Sequence, residues 1–300
     1  MKRLYHYPAM IVLALFAALF AVIFEVCTFF SLVLIKPEIY SEAMGSKGVS
    51  DAIYEDLNTY FEHYAAPTGI PKEVFTKSLD KSELSKAAYQ LLSDSLAYLS
   101  DPNAAKPEPQ YDFTQLDKDI TDYIEANTDH DKVEDKDEYN KLVENTISTA
   151  EGQIKSRLDV MMLYTLSKTG FAAKVHTCAG YIRFGAFASA AAAVIFLAAM
   201  VIVDRRHPRD LPYWFGCTIF SASTLVLVPS LYLQKMHFFD RFFVKSDYIY
   251  RTVTGLCDTA LDRIITAQTI ALMVGIFLIL LTLVIHAIYL KYLRRRSRIS

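Results

Sequence analysis

Four stretches of this chain are each long and apolar enough to cross a lipid bilayer. A spanning helix needs about 20 consecutive, mostly apolar residues, and the stretches cover residues 8–35, 184–203, 211–234 and 264–290. The composition agrees with membrane insertion, because 53% of the 300 residues are hydrophobic and only 21% are charged, whereas soluble domains carry about 25% charged residues. The sequence therefore predicts an all-α fold with a four-span transmembrane helical bundle.

The first stretch, 8–35, has two interpretations. Lys2 and Arg3 precede it, as basic residues precede the apolar core of a secretory signal peptide. However, the stretch is longer than the 7–15 apolar residues of such a core, and no A-x-A cleavage site follows it. We therefore expect an uncleaved anchor, with a cleaved signal peptide as the alternative.

The basic residues at the span ends predict the orientation. Ten Lys and Arg residues lie in the N-terminal flank, the loop 204–210 and the tail 291–300, against two acidic residues. The loop 235–263 is nearly balanced in charge. Cytoplasmic flanks carry the excess of Lys and Arg, so we expect a multi-pass cell membrane protein with both termini in the cytoplasm. The basic flanks are expected to contact anionic lipid headgroups there.

This orientation predicts three regions. Residues 1–36 form the first span with a short cytoplasmic N-terminus, and residues 173–300 form a three-span region with a short outer aromatic segment and a basic tail. Between them, residues 37–172 contain 26 acidic and 13 basic residues. Their apolar positions recur at spacings of three and four, which is typical of amphipathic helices. We therefore expect an acidic, helical extracytoplasmic domain built as a bundle of four or five helices.

Two helices of this domain have predicted ends. Asp80 and Glu83 resemble a capping pair at the start of one helix. The apolar positions of the last helix run from Leu142 to Met162, and Gly170 could cap it.

The outer segment 235–263 is rich in aromatic residues. Aromatic side chains concentrate where a membrane meets water, so a helix lying flat on the membrane, or one packed with the acidic domain, fits this composition. A contact with a partner or a lipid is the alternative. The aromatic residues are Phe238, Phe239, Phe242, Phe243, Tyr248 and Tyr250.

Motifs that carry chemistry are absent from the sequence. It has no nucleophile elbow, zinc-protease motif or phosphate-binding loop, and no two His residues lie three or four positions apart. The acidic run 129–138 lacks the Gly and Glu that a calcium loop needs. We therefore expect no enzymatic activity, no metal and no cofactor. Because the basic clusters abut the membrane, lipid is the expected partner there, and nucleic acid is not.

Glu25 is the one charged residue within the first span. An intramembrane carboxylate is costly and usually faces protein or a cavity. Pro229 in the third span has no N–H group to donate to the carbonyl of Leu225. That carbonyl should lie at a depth similar to that of Glu25. Arg183 lies at the outer boundary of the second span. Glu25, Arg183 and Pro229 are therefore a candidate intramembrane polar site. It is either a neutral, hydrogen-bonded structural acid or a proton or ion site.

Two of the four cysteines are candidates for a disulfide. Cys178 lies six residues before the second span and Cys257 seven before the fourth. If both flanks are helical, the sulfurs lie about 9–11 Å above the outer boundary. They can pair if these spans are neighbours, and unpaired residues in helix contacts are the alternative.

One part of the chain carries a family resemblance. The run IYSEAMGSKGVSDAIYEDLNTYFEHYAAPTGIPKEVF, residues 39–75, resembles the corresponding region of uncharacterised bacterial integral membrane proteins that have a helical outer domain between the first and second spans. The order of one span, a large outer domain and three spans also resembles permease subunits of mechanotransmission ABC transporters, although the inner loop 204–210 is very short.

These observations support two functional hypotheses. In the first, a non-enzymatic membrane protein presents its outer domain for sensing, scaffolding or binding a protein partner at the cell envelope. In the second, the chain is a transport or permease component with Glu25 in its membrane pathway.

Overall fold

The computed structural model describes residues 6–33, 37–46, 48–101, 103–128, 136–205 and 208–296, and these contain helices and no strand. This confirms the all-α prediction. Most of the acidic run 129–138, and part of the basic flanks, lie outside the described residues. The helices are α1 (His6–Val33), α2 (Pro37–Ser46), α3 (Val49–Thr68), α4 (Lys72–Thr76), α5 (Lys81–Ser100), α6 (Thr114–Asn127), α7 (Lys136–Leu158), α8 (Leu163–Ser167), α9 (Phe171–Val203), α10 (Leu211–Lys235) and α11 (Asp247–Arg296).

The chain forms two compact units. The first, here called the membrane unit, comprises Met1–Leu34, Cys178–Phe239 and Ala260–Ser300. The second, here called the helical unit, comprises Ile35–Thr177 and Asp240–Thr259. Most of the aromatic segment thus belongs with the acidic helices, as one of the two predicted placements requires.

Four helices are long and apolar enough to cross a membrane, as predicted. The candidate spans are Tyr7–Ser31, Phe171–Val203, Leu211–Lys235 and Asp247–Tyr289. Many of their large apolar side chains are exposed, which suits helices whose outer surface meets lipid rather than water. The structure therefore supports a multi-pass membrane protein.

Aromatic and sulfur-containing side chains hold α1 against its neighbours within the membrane unit. Met10, Met200 and Trp214 form a buried cluster that joins α1, α9 and α10. Farther along α1, Phe16 and Phe20 stack on Phe196 of α9, with ring centroids 5.4 and 5.6 Å apart. Because lipid tails are as apolar as these side chains, packing rather than water exclusion stabilises such contacts.

Helices α10 and α11 approach each other through two glycines. A Cβ atom added at Gly216 would lie 2.8 Å from the carbonyl oxygen of Gly275. A Cβ atom added at Gly275 would lie 2.9 Å from the backbone nitrogen of Phe220. Small residues permit this kind of close backbone contact between membrane helices.

The helical unit has its own apolar core. Phe61 of α3 stacks on Phe75 of α4 with ring centroids 4.7 Å apart. Side chains from the longer helices complete the core, and they include Ile53, Leu57, Leu84, Leu91, Leu116, Ile120 and Ile154. Each of these positions belongs to a stripe of apolar residues spaced three or four apart, which is the pattern that predicted the helices.

The start of α5 agrees with the predicted cap at Asp80. The Asp80 carboxylate accepts hydrogen bonds from the backbone N–H groups of Ser82 and Glu83, and from the Ser82 hydroxyl. These bonds lower the pKa of Asp80, and the bond from the Ser82 hydroxyl has the largest effect. The cap satisfies donors that have no partner within the helix.

The end of α7 differs from the prediction. The helix ends at Leu158 rather than near Met162, because Asp159 begins a new turn. Its carboxylate accepts hydrogen bonds from the backbone N–H groups of Tyr164 and Thr165, at 3.1 and 2.9 Å, and Met162 adopts a positive φ of 56°. The described part of the helical unit therefore contains the short helices α4 and α8 in addition to five longer ones and the N-terminal parts of α9 and α11.

A charged side chain joins α7 to α3. Arg157 Nε of α7 lies 2.6 Å from Asp56 Oδ2 of α3. The Arg157 guanidinium also lies over the ring of Tyr60, 4.7 Å from its centroid. Only 14% of the Arg157 side chain is exposed, so this ion pair is better shielded from solvent than most surface pairs.

Candidate functional site

Glu25 contacts an amide from a helix that lies far away in the sequence. Glu25 lies on α1, and the Gln268 amide of α11 donates a hydrogen bond from Nε2 to Glu25 Oε2 at 3.0 Å. Both residues belong to the membrane unit. A polar side chain in an apolar span lowers its cost by finding a partner of this kind.

Gln268 is buried and only partly satisfied. Its residue is 6% exposed, and its Oε1 atom has no hydrogen-bond partner among the described residues. A buried amide can donate twice and accept twice, and a buried polar atom without a partner carries a desolvation penalty of about 1–3 kcal/mol. The position therefore has an unused acceptor beside the Glu25 carboxyl.

A cavity of about 560 Å³ lies beside this pair. Its polar lining consists of Glu25, Gln268, Thr28 and Arg263, and Arg263 is exposed and lies five residues before Gln268 on α11. The remaining lining is apolar, with three aromatic and four aliphatic residues: Phe24, Phe29, Phe30, Val26, Val226, Ile264 and Ala267. Its volume is within the range of small-molecule sites, which are mostly apolar with a few placed polar groups.

The polar groups that line this cavity include both hydrogen-bond acceptors and donors. Glu25 and Thr28 are the lining residues with side-chain oxygens that a ligand can reach, because Gln268 Oε1 has almost no accessible surface. The described residues contain no group of three or more His, Cys, Asp or Glu that could hold a metal ion. The arrangement therefore offers a few polar groups, one acidic and one cationic, in a mostly apolar cavity.

Arg183 and Pro229 do not line this cavity. Arg183 is exposed on α9 and makes no hydrogen bond or ion pair with any described residue, and Pro229 is exposed on α10. Of the three residues predicted to form a polar site, only Glu25 lines the cavity. The missed residue is Gln268, whose signal was present as an amide inside a span that is mostly apolar.

The cysteines are free thiols in the structure. Cys178 is exposed, and Cys27, Cys217 and Cys257 are half-buried. Cys178 belongs to the membrane unit and Cys257 to the helical unit. Pairing of Cys178 with Cys257 stays a prediction that solution chemistry must test.

The helical unit contains a second cavity, of about 600 Å³. Its charged lining groups are Lys106, Glu108 and Lys168, and Lys168 Nζ lies 4.0 Å from the centroid of the Tyr164 ring. Tyr98, from α5, lines another wall. This cavity is more polar than the one at Glu25 and is formed entirely within the helical unit.

No known protein family, curated protein or solved structure matches this chain.

Proposed function

We propose that this chain is an integral membrane protein of the cell envelope that presents its helical unit outside the cytoplasm for sensing, scaffolding or binding a partner. The observation that carries the proposal is that the helical unit has its own buried core, distinct from the packing of the spans. A folded unit of this kind can present a stable surface without using the membrane helices.

Charge and shape support a binding role for this unit. Residues 37–172 carry 26 acidic residues against 13 basic ones. An acidic surface attracts a basic partner and repels an acidic one, so its charge favours selective association. The cavity of about 600 Å³ beside Lys168 also has the volume of a small-molecule site, which is what a sensing role requires.

The test is photocrosslinking in native membranes from exposed positions of the helical unit. A photoreactive amino acid at Asp122 or Glu125, both exposed on α6, should yield a discrete adduct that weakens as the salt concentration rises, because exposed charges are screened. The matched control places the same amino acid at Phe187, an exposed apolar position of α9. A discrete adduct from Phe187 alone, with none from α6, would contradict the proposal.

A second candidate function is transport, and the cavity at Glu25 favours it. A carboxyl group that lines a cavity inside a span is typical of ion and substrate pathways. Flux into proteoliposomes that is lost in Glu25→Gln, while the variant inserts and folds normally, would support transport. Equal flux in wild type, Glu25→Gln and protein-free liposomes would exclude it.

A further inference from the structure

We propose that the cavity at Glu25 holds an acyl chain of a membrane phospholipid, with the lipid phosphate at Arg263. The proposal rests on membrane insertion of the four spans and concerns the membrane unit alone, so it does not depend on the role of the helical unit. It gives the cavity an occupant of defined chemistry, an apolar chain that ends in an anionic head.

The cavity wall favours an apolar ligand that enters from the surface of the membrane unit. Among the described residues, α1, α10 and α11 supply seven apolar lining residues and four polar ones. Phe24, Val26 and Phe30 are 39%, 42% and 46% exposed, so the cavity opens at that surface. Around a bundle of membrane spans this surface meets lipid tails and not water. An acyl chain can therefore enter from the side and pack against the aromatic and aliphatic lining.

Arg263 places the charged end of the ligand. It immediately precedes the apolar stretch 264–290, so this cationic lining residue lies where the apolar part of α11 ends. Lipid headgroups lie just beyond the hydrocarbon core, and an arginine side chain extends toward that level. A guanidinium pairs with a phosphate through two parallel N–H···O bonds. Arg263 also interacts within the protein, and its five N–H donors leave others for a phosphate.

Glu25, the acidic residue of the lining, lies beside the chain of the ligand rather than beside its head. The Glu25 Oε2 atom accepts the hydrogen bond from Gln268 Nε2 at 3.0 Å, which holds the carboxyl at the level of Gln268. Arg263 precedes Gln268 by five residues of α11, so it lies about 7.5 Å from Gln268 along the helix axis. A phosphate at Arg263 is therefore separated from the Glu25 carboxyl.

The apolar wall and the cation together select an amphiphile. An uncharged apolar molecule would leave Arg263 without an anionic partner in the ligand, and a small anion would leave the apolar wall unfilled. Phospholipids combine both parts and surround the spans of a membrane protein, so they are the occupant that the site favours. A fatty acid has the same design with a carboxylate in place of the phosphate, and the experiment separates the two.

The experiment maps photocrosslinks from a lipid to the full-length protein in dodecyl maltoside, a detergent without phosphate or charge. The probe is phosphatidylglycerol with a diazirine in one acyl chain. Peptide mass spectrometry locates the adducts, which separates the cavity segments 24–30 and 263–268 from lipid bound at the basic flanks of the spans. The matched probe is a diacylglycerol with the same diazirine chain and no phosphate. Unlabelled phosphatidylglycerol and oleic acid serve as competitors.

We expect saturable labelling of the cavity segments, at least fivefold weaker labelling by the diacylglycerol, and at least fivefold weaker competition by oleic acid. Arg263→Gln should weaken labelling about fivefold, because it removes a charge-assisted bond to the phosphate. Ala267→Phe should weaken it similarly by filling the cavity that Ala267 lines. The controls Arg183→Gln and Ala191→Phe should change labelling less than twofold, because both residues are exposed on α9 and do not line the cavity.

Several results would overturn the proposal. They are labelling of the cavity segments that does not saturate, equal labelling by the diacylglycerol, or unchanged labelling in Arg263→Gln. Competition by oleic acid as strong as that by phosphatidylglycerol would assign the site to a fatty acid and contradict the phospholipid. If Arg263→Gln fails to fold, as judged by gel filtration and circular dichroism, the two probes and the two competitors on the wild-type protein decide alone.

Discussion

Substituting Gly216 with alanine should loosen the contact between α10 and α11. The added Cβ atom would lie 2.8 Å from the Gly275 carbonyl oxygen and 2.8 Å from Ile279 Cγ1. Ordinary contacts at a Cβ begin at 3.4 Å, so the atom is about 0.6 Å too close. The carbonyl is backbone and cannot rotate away, and the helices must therefore separate. Overpacking of this kind costs about 1–3 kcal/mol.

The assay is thermal unfolding in detergent, followed with a maleimide dye that reports newly exposed thiols. Cys27 and Cys217 lie in α1 and α10 and are half-buried, so they react when the spans separate. Cys178 is exposed and is replaced by serine to remove the background. Gly216→Ala should lower the unfolding midpoint by several degrees, at about 2–4 °C per kcal/mol.

Gly180→Ala is the matched control. A Cβ atom at Gly180 of α9 would meet nothing within 4 Å, and alanine favours a helix over glycine by about 1 kcal/mol. The control should therefore unfold at the wild-type temperature or above. If Gly216→Ala and Gly180→Ala have the same midpoint, the close approach of α10 and α11 is refuted.

Three further predictions concern the helical unit and the cysteines. Arg157→Met should ease local opening of the helical unit by about 1.5–3 kcal/mol, the usual range for a bond to a charged group, because it breaks the bond to Asp56. Native-state proteolysis measures this opening, with Arg157→Lys as the control. Equal cleavage rates of Arg157→Met and the wild-type protein would contradict the prediction. Asp80→Ala should speed hydrogen exchange in the first turn of α5 at neutral pH, and Asp80→Asn should do so less. Because the pKa of Asp80 is lowered in the folded state, its stabilisation is present above the ordinary carboxyl pKa. It is lost as the pH falls through the lowered pKa. A difference in hydrogen exchange between Asp80→Ala and the wild-type protein that persists in strong acid would therefore contradict the cap. Bonded Cys178 and Cys257 would leave two thiols to alkylate in unfolded, unreduced protein, whereas reaction of all four would exclude the bridge.

The spans and most helices of this protein follow from local patterns. The length of the apolar runs predicts the four spans, and the spacing of residues such as Leu84 and Leu91 predicts the amphipathic helices. The cap at Asp80 is also local, because its donors follow within three residues.

Contacts between distant residues could not be predicted in the same way. The partner of Glu25 lies 243 positions away, and no periodicity in one span indicates which amide of another will face it. The end of α7 depends on hydrogen bonds from Asp159 to residues five and six positions later. The apolar pattern continues past that point, so the pattern alone overestimated the helix.

The measurement that tests the central claim most directly is labelling of single cysteines in cells with an intact inner membrane. The four native cysteines are replaced by serine, and one cysteine is added by Ser148→Cys in α7 or by Arg205→Cys after α9, both exposed positions. A membrane-impermeant maleimide should label the Ser148→Cys protein in intact cells, and the Arg205→Cys protein only after the membrane is permeabilised. Labelling of Arg205→Cys in intact cells, with Ser148→Cys protected, would contradict the placement of the helical unit outside the cytoplasm.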